Sequence, residues 1–432
     1  MLAWLLIGMY LPITVALVLI PLSLVVLFLK GMHKELLLGF LFVLTLSDSR
    51  MYYLSFTSDL KNIYIILLAV FFLLEYKKIV FKIPFIVYIV PFLIIALLCL
   101  QYSPIVDVAL QKTVSYALLF LVVPNLISYI VQKDGAPFFK DLIFFILLLL
   151  TYGLVLNQIN PYVTNLVGRY RGVLGNPNGL GIYVVLFTIM FHTINTFYTN
   201  LFTKREKILV YAICFLNLYM CGSRSSLLAT LLFLVLSNFY AIDKFLGFII
   251  FIVLVFSYQL ISSNIDSLII ALGWENYFRL ESLEKGSGRL VAWTFAWLNI
   301  QKNFFLGKGF SYTEYLYKVN YLYLSKLNHQ GAAHNAYLTL WLDTGLVGLG
   351  AFITGFLSIF YKLRKISPII FPILYAILFS NQFESWLTAS LNPFTIQLLI
   401  ILSIIYYKGF NIDDEPELDQ SVINHESPLP VH

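Results

Sequence analysis

Apolar runs recur along the whole chain, each ended by a short polar stretch. Runs bounded by charges fall at 2–29, 36–47, 62–74, 83–100, 114–131, 142–157, 180–199, 208–220, 226–241, 246–262, 336–360, 367–383 and 393–407. They read as helices rather than as the roughly 10-residue alternating strands of an outer-membrane barrel. Several are short for a bilayer that needs about 20 residues, so their ends recruit neighbouring loop residues. Pro12 and Pro21 either kink the first run or divide it into two short helices. The expected fold is all-α: a polytopic membrane helical bundle of about 12–14 transmembrane helices with one large outer loop containing short helices. The corresponding division is 1–165 (N-terminal spans), 166–262 (spans with outer Arg-bearing loops), 263–335 (the large outer loop), 336–408 (C-terminal spans) and 409–432 (an acidic cytoplasmic tail). The tail's composition predicts disorder.

Composition agrees. Of 432 residues, 60% are hydrophobic and 12% charged, too few charges to coat two or three soluble domains. The three cysteines, Cys99, Cys214 and Cys221, give neither a disulfide framework nor metal-finger spacing. A net charge of +6 is no nucleic-acid signal, because the basic residues sit in short loops between apolar runs. Residues 1–28 carry no charge, and Lys30 and Lys34 follow them, the reverse of a cleavable signal peptide.

Lys and Arg set the expected orientation. One alternating set of connections, nearly all short, holds Lys30, Lys34, Lys77, Lys78, Lys82, Lys133, Lys140, Lys204, Arg205, Lys207, Lys244, Lys362, Arg364, Lys365 and Lys408. The short loops of the other set hold only Arg50, Lys61, Lys112, Arg169, Arg171 and Arg224. The first set is assigned to the cytoplasm. Four unusual segments then land outside: Gly168–Gly179, Cys221–Ser226, Gly286–Arg289 and His334–Asn335. The 263–335 segment reads as the one large soluble element. Within it Arg289, Trp293 and Trp297 recur at helical spacing, with Ala292 and Ala296 between.

The outer arginines carry the first chemical signal. Arg169 and Arg171 stand beside Gly172, Gly175, Asn176, Pro177, Asn178 and Gly179; Arg224 stands between serines; Arg289 opens the amphipathic helix. A guanidinium near lipid is costly unless paired or hydrated, and its fork suits phosphate oxygens. The group points to an anionic ligand such as a diphosphate; the plainer account is snorkelling to lipid headgroups. His334, followed by Asn335, can act as a general base near neutral pH. His329 competes for that role, and His192, inside a span, reads as a helix–helix hydrogen-bonding residue. Asn176 and Asn178 start the helix that follows, aim amides and nearby arginines at a ligand, or do both. Leu306–Gly309 reads as a turn, not a phosphate loop. Gly345, Gly348, Gly350 and Gly355 read as close-packing positions between helices. No metal-ligand spacing and no nucleotide motif occurs, so neither metal nor cofactor is expected.

Four segments, RYRGVLGNPNGLG (169–181), GSRSSLLA (222–229), GRLVAWTFAWLNIQKNFFLGKGF (288–310) and HNAYLTLWLDTGLVGLG (334–350), stand in an order that resembles the bacterial O-antigen polymerase and O-antigen ligase proteins. The first 165 residues match only as a multi-span pattern. The resemblance implies a metal-independent glycosyltransferase at the outer face of the bacterial inner membrane. Such an enzyme takes glycan from an undecaprenyl-diphosphate carrier and passes it to another lipid-linked repeat (polymerase) or to the lipid A core (ligase). Implied partners are the carrier-linked oligosaccharide, the acceptor, membrane lipids and a chain-length regulator protein, with no nucleic acid. The family's essential arginines and histidine resemble Arg171 (with Arg169), Arg224, Arg289 and His334; Asp343 stands where the family often has Glu. In this reading Arg224 and Arg289 stabilise the leaving diphosphate. Arg171 holds the diphosphate or orients the acceptor, and His334 takes the hydroxyl proton in one inverting displacement. Trp293, Trp297 and Tyr312 either stack on sugars or, by preference, pack the loop helix onto the bundle. The polymerase is the preferred reading. The ligase is its nearest rival; a lipid-linked oligosaccharide flippase and an envelope assembly protein are more distant ones.

Overall fold

The computed structural model describes residues 1–49, 51–75, 83–239, 247–253, 288–327, 329 and 331–413. Arg50, Lys77, Lys78, Lys82, Lys244, Gly286, most of the expected 246–262 span and the tail from 414 lie outside the described residues. The first apolar run is divided: α1 (Leu2–Tyr10) and α2 (Ile13–Leu29) separate at Leu11 and Pro12, while Pro21 is absorbed inside α2. Pro12 stands just ahead of the first turn, where its missing N–H leaves no gap, and its carbonyl accepts from Val15 and Ala16.

The chain continues as α3 (His33–Ser47), α4 (Phe56–Leu74), α5 (Phe85–Leu98), α6 (Val106–Asp134), α7 (Pro137–Ile159) and a single turn, α8 (Pro161–Thr164). A two-residue antiparallel hairpin follows, β1 (Asn165–Leu166) with β2 (Arg169–Tyr170), pairing Leu166 with Arg169. Then come α9 (Pro177–Phe197), α10 (Lys204–Cys221), α11 (Arg224–Phe239), α12 (Arg289–Ile300), α13 (Tyr312–Val319), α14 (Tyr321–Lys326), α15 (Ala336–Leu363), α16 (Ile370–Asn381) and α17 (Pro393–Asp413). Among the described residues, six helices are long and apolar enough to cross a membrane, and α2, α11, α16 and α17 are shorter apolar helices. The protein is a polytopic helical membrane bundle.

α6 and α9 form its centre, with 72% and 78% of their apolar windows buried, against 33–44% for the other long spans. The outer helices leave rows of leucine, valine and phenylalanine uncovered, as lipid solvent permits. His192 on α9 bonds Tyr211 on α10 through its Nδ1 at 2.9 Å, the helix–helix role its sequence position suggested. Polar contacts sort the connections onto two faces. On one, Lys34 pairs with Asp141, Lys133 donates to the Gly31 carbonyl, and Lys140 pairs with Glu206. The 160–176 hairpin region, the 221–224 junction, the 288–335 segment and the turn after α16 gather on the other.

The helices α12 to α14 have a small core of their own, in which Ala292, Ala296 and Ile300 of α12 meet Leu316, Tyr317 and Leu324. The alanine row is the face that α12 buries, while Trp297 stays 40% exposed. Among the joints that fasten this segment to the bundle, two lie on α15. Asp343, fully buried on α15, accepts from the Ser311 N–H (2.8 Å), the Thr313 N–H (2.7 Å) and the Thr313 hydroxyl (2.6 Å), so it caps the start of α13. Next to it α15 is broken: Gly345 has φ 72°, outside the helical region. The N–H groups of Leu346 and Val347, freed by the break, donate to the carbonyls of Phe304 and Phe305. Residues 304–309 thus enter the break as a turn, as expected for Leu306–Gly309.

Gly345 is therefore a kink as well as a close-packed position, and what it packs against is the backbone of Phe305 and Leu306 rather than another helix. Gly348 and Gly355 do pack closely, against Thr344 and the Tyr88 carbonyl, while Gly350 has nothing within 4 Å of where a Cβ would stand. An alanine at 345 would be strained at its positive φ, and its Cβ would overlap the Phe305 carbonyl. Gly345→Ala is expected to cost about 1–3 kcal/mol. It should appear as a lowered unfolding temperature in detergent together with earlier proteolysis within residues 301–309.

Candidate active site

The turn after α16 carries Glu384, whose side chain is only 14% exposed. Three separate stretches of chain meet its carboxylate. Asn178, in the first turn of α9, donates its Nδ2 to Oε1 at 2.7 Å. Arg289, the first residue of α12, brings Nη2 to 3.7 Å of Oε1, with its guanidinium carbon 5.4 Å from the centre of the Phe383 ring. His334 places Nδ1 3.0 Å from Oε2. Burial by itself pushes the Glu384 carboxyl up; the His334 hydrogen bond and charge, the Arg289 charge and the Asn178 hydrogen bond outweigh it and hold the group below its ordinary range. A carboxylate engaged in this way orients its neighbours rather than serving as a base itself.

Local structure explains each placement. His334 has φ 49°, in the left-handed region that non-glycine residues seldom occupy. It is held from both sides. The preceding carbonyl, Ala333, accepts from Trp293 Nε1 at 3.0 Å. The following residue, Asn335, caps α15 through the Leu338 N–H at 3.0 Å and donates its own Nδ2 to the Gln382 carbonyl at 3.2 Å. Trp293 and Asn335 thus position His334. The ring's Nε2 faces Gly331, where a Cβ would come within 3.3 Å. His329 is buried, with its ring centre 6.2 Å from that of His334. Burial, and then the neighbouring His334, lower its pKa.

The other arginines divide. Arg169 donates through Nε and Nη2 to the Cys221 carbonyl (3.1 and 2.8 Å) and through Nη2 to the Gly222 carbonyl (3.1 Å). It caps the C-terminus of α10, where the helix dipole is negative. The same Nη2 donates to Asn178 Oδ1 at 3.0 Å, which turns the Asn178 amide nitrogen toward Glu384. Arg171 is buried and donates to the carbonyls of Gly175 (3.2 Å) and Val163 (3.1 Å), inside its own loop. Asn176 caps α9 through the Gly179 N–H at 2.7 Å, the helix-starting alternative of the two considered. Arg224, half-buried, opens α11 two residues after the Gly222 carbonyl that Arg169 holds.

The structure therefore joins Arg289, His334 and Asn178 on one carboxylate, links Arg169 to it through Asn178, and keeps Arg171 and Asn176 within the supporting loop. Glu384 is the residue that sequence reasoning missed. Its signal was a single acidic residue between the apolar runs ending at 383 and starting at 393. Among the described residues no group of three His, Cys, Asp or Glu is arranged to hold a metal ion.

Because the folded pKa of Glu384 lies below its ordinary 4.5, the carboxylate adds stability that is complete above that value and lost as pH falls through the depressed one. Glu384→Gln should thus be less stable than the parent at neutral pH, with the two unfolding temperatures drawing together under acid. Unfolding followed in detergent across pH 3–7, roughly the range of carboxylate titration and just above, checks this.

No curated protein matches the chain. Residues 209–353, which contain Arg224, Arg289, Trp293, His334 and Asn335, match the family described as O-antigen ligase.

Proposed function

We propose that the protein transfers glycan from an undecaprenyl-diphosphate carrier to an acceptor sugar hydroxyl at the outer face of the bacterial inner membrane, as a surface-polysaccharide polymerase. The observation that carries the reading is the His334–Glu384 pair with Arg289 against it, inside a membrane bundle whose 209–353 segment matches O-antigen ligase.

The chemistry follows from the donors. A carboxylate only accepts, so the His334 Nδ1 facing Glu384 carries the proton and Nε2 keeps its lone pair. Nε2 takes the proton of the acceptor hydroxyl as that oxygen bonds the anomeric carbon. The bond from that carbon to the carrier diphosphate breaks in the same step, inverting the anomeric configuration. Arg289, with Arg224 at the start of α11, meets the charge that grows on the leaving diphosphate. Glu384 stabilises the imidazolium until its proton passes to water. Arg169 and Arg171 hold the hairpin and α9 in register, and the apolar helices seat the polyprenyl tail. The reaction needs no metal in this account.

Membranes carrying the variants, checked for equal protein level, are assayed with carrier-linked glycan. His334→Ala and Glu384→Gln should each lower transfer by about 10²–10⁴-fold. Arg289→Ala should lower it by about 10²–10³-fold. Unchanged transfer in all three would end the assignment. Separately, EDTA should leave the parent's rate intact; a loss restored by magnesium or manganese would contradict the metal-free step.

The family description favours one second reading, a ligase with the lipid A core as acceptor, by the same chemistry. A deletion strain separates the two. Loss of a polymerase leaves a single repeat on the core, whereas loss of a ligase leaves the core bare while carrier-linked glycan accumulates.

A further inference from the structure

The 297–309 stretch has features that a water-exposed loop does not need. Phe305 is 66% exposed, Leu298 53% and Leu306 45%. An aromatic row runs beside them in the chain: Trp297 meets Trp341 edge-on at 5.6 Å, Trp341 meets Phe304 at 5.1 Å, and Phe304 meets Phe305 at 5.2 Å. Lys302 and Lys308 flank the patch, and residues 289–309 include no Asp or Glu.

Two helices give the depth of this patch. From the Gly345 break, α15 runs to Leu363, past Lys362 on the far face. At 1.5 Å per residue that lower segment is about 27 Å long, close to the hydrocarbon thickness of a bilayer. α5 lies alongside it, with the Tyr88 carbonyl against Gly355, Ile95 against Gly348, and Cys99 Sγ 3.9 Å from the Thr344 carbonyl. Its apolar run ends at that same level, through the short 3₁₀ turn Cys99–Tyr102. The hydrocarbon boundary on the site face therefore passes close to the break in α15. Phe304 and Phe305 bond directly to Leu346 and Val347 at the break, so they lie at the boundary and not above it.

We infer that the 297–309 stretch is a membrane anchor. Leu298, Phe305 and Leu306 enter the acyl region of the leaflet on the site face, Trp297 lies at the interface, and Lys302 and Lys308 meet lipid phosphates. The charge complementarity names the occupant, a leaflet with anionic headgroups, in preference to a second protein. Aromatic and basic residues around an apolar tip are the composition that interfacial segments use. The anchor fixes the far end of α12, so Arg289 at its start is held at a set height over the bilayer. The inference rests on the membrane reading of the fold and is independent of the proposed reaction.

The test uses the full chain in nanodiscs of phosphatidylethanolamine and phosphatidylglycerol. A spin label at Phe305→Cys is compared with one at the lipid-facing Leu148→Cys of α7; the three native cysteines are buried. The Phe305 label should collide with oxygen more than with a water-soluble nickel chelate, at a depth of about 5–10 Å below the phosphates. A label reached mainly by the chelate, or shielded from both by a second copy of the chain, would overturn the inference. A second measurement leaves the patch chemically intact in the parent. The fluorescence difference between parent and Trp297→Phe should be quenched more by lipids brominated near the headgroup end of the acyl chain than near the methyl end. No quenching by either lipid would overturn it as well.

Discussion

The compensation of one buried negative charge ties this fold together at its functional end. The carboxylate of Glu384 is nearly out of reach of solvent, and an isolated charge there would be costly. Its compensation comes from the start of α9, the start of α12 and the residue before the cap of α15. Those pieces are distant in sequence and belong to different parts of the bundle, so the carboxylate makes their positions interdependent. The pairing also selects the neutral tautomer of His334, since an acceptor-only partner at Nδ1 puts that tautomer's proton on Nδ1 and its lone pair on Nε2.

The arginines near this joint do two kinds of work, and the distinction lies in their partners. Arg169 and Arg171 spend hydrogen bonds on backbone carbonyls, Arg169 at a helix end and Arg171 within its loop. Arg169 closes the C-terminus of α10, and Arg171 ties the Val163 and Gly175 carbonyls of its own loop together. Arg289 instead approaches a side-chain carboxylate from the first residue of its helix, across from the Phe383 ring.

Much of the bundle could be read from the chain because hydropathy is a one-dimensional signal. The apolar runs within the described residues became helices, the proline at position 12 divided the first of them, and α12 starts at the arginine that its spacing indicated. What was hidden depends on packing. Glu384 stands 50 residues from His334 and 206 from Asn178, and no periodicity connects them. The carbonyls that Arg169 holds at Cys221 and Gly222 leave no trace in side-chain patterns. The glycine at 345 looked like its neighbours at 348 and 355, since the same residue type serves both tight packing and a left-handed backbone. Asp343, marked out by its departure from the family pattern, proved to fasten α13 to α15.

The hydrogen bonds around Glu384 also bear on what counts as a unit in this protein. The segment that matches the family ends at 353 and begins at 209, yet the acid that orients its histidine and the amide that steadies that acid both lie beyond those limits. Excised from the chain, that segment would keep its arginines and its imidazole but lose the group that selects the tautomer. Heredity in such a protein can preserve a recognisable stretch while the competence of that stretch is borrowed from flanking helices, and chimaeras that exchange only the recognisable part inherit whatever orienting acid their host supplies.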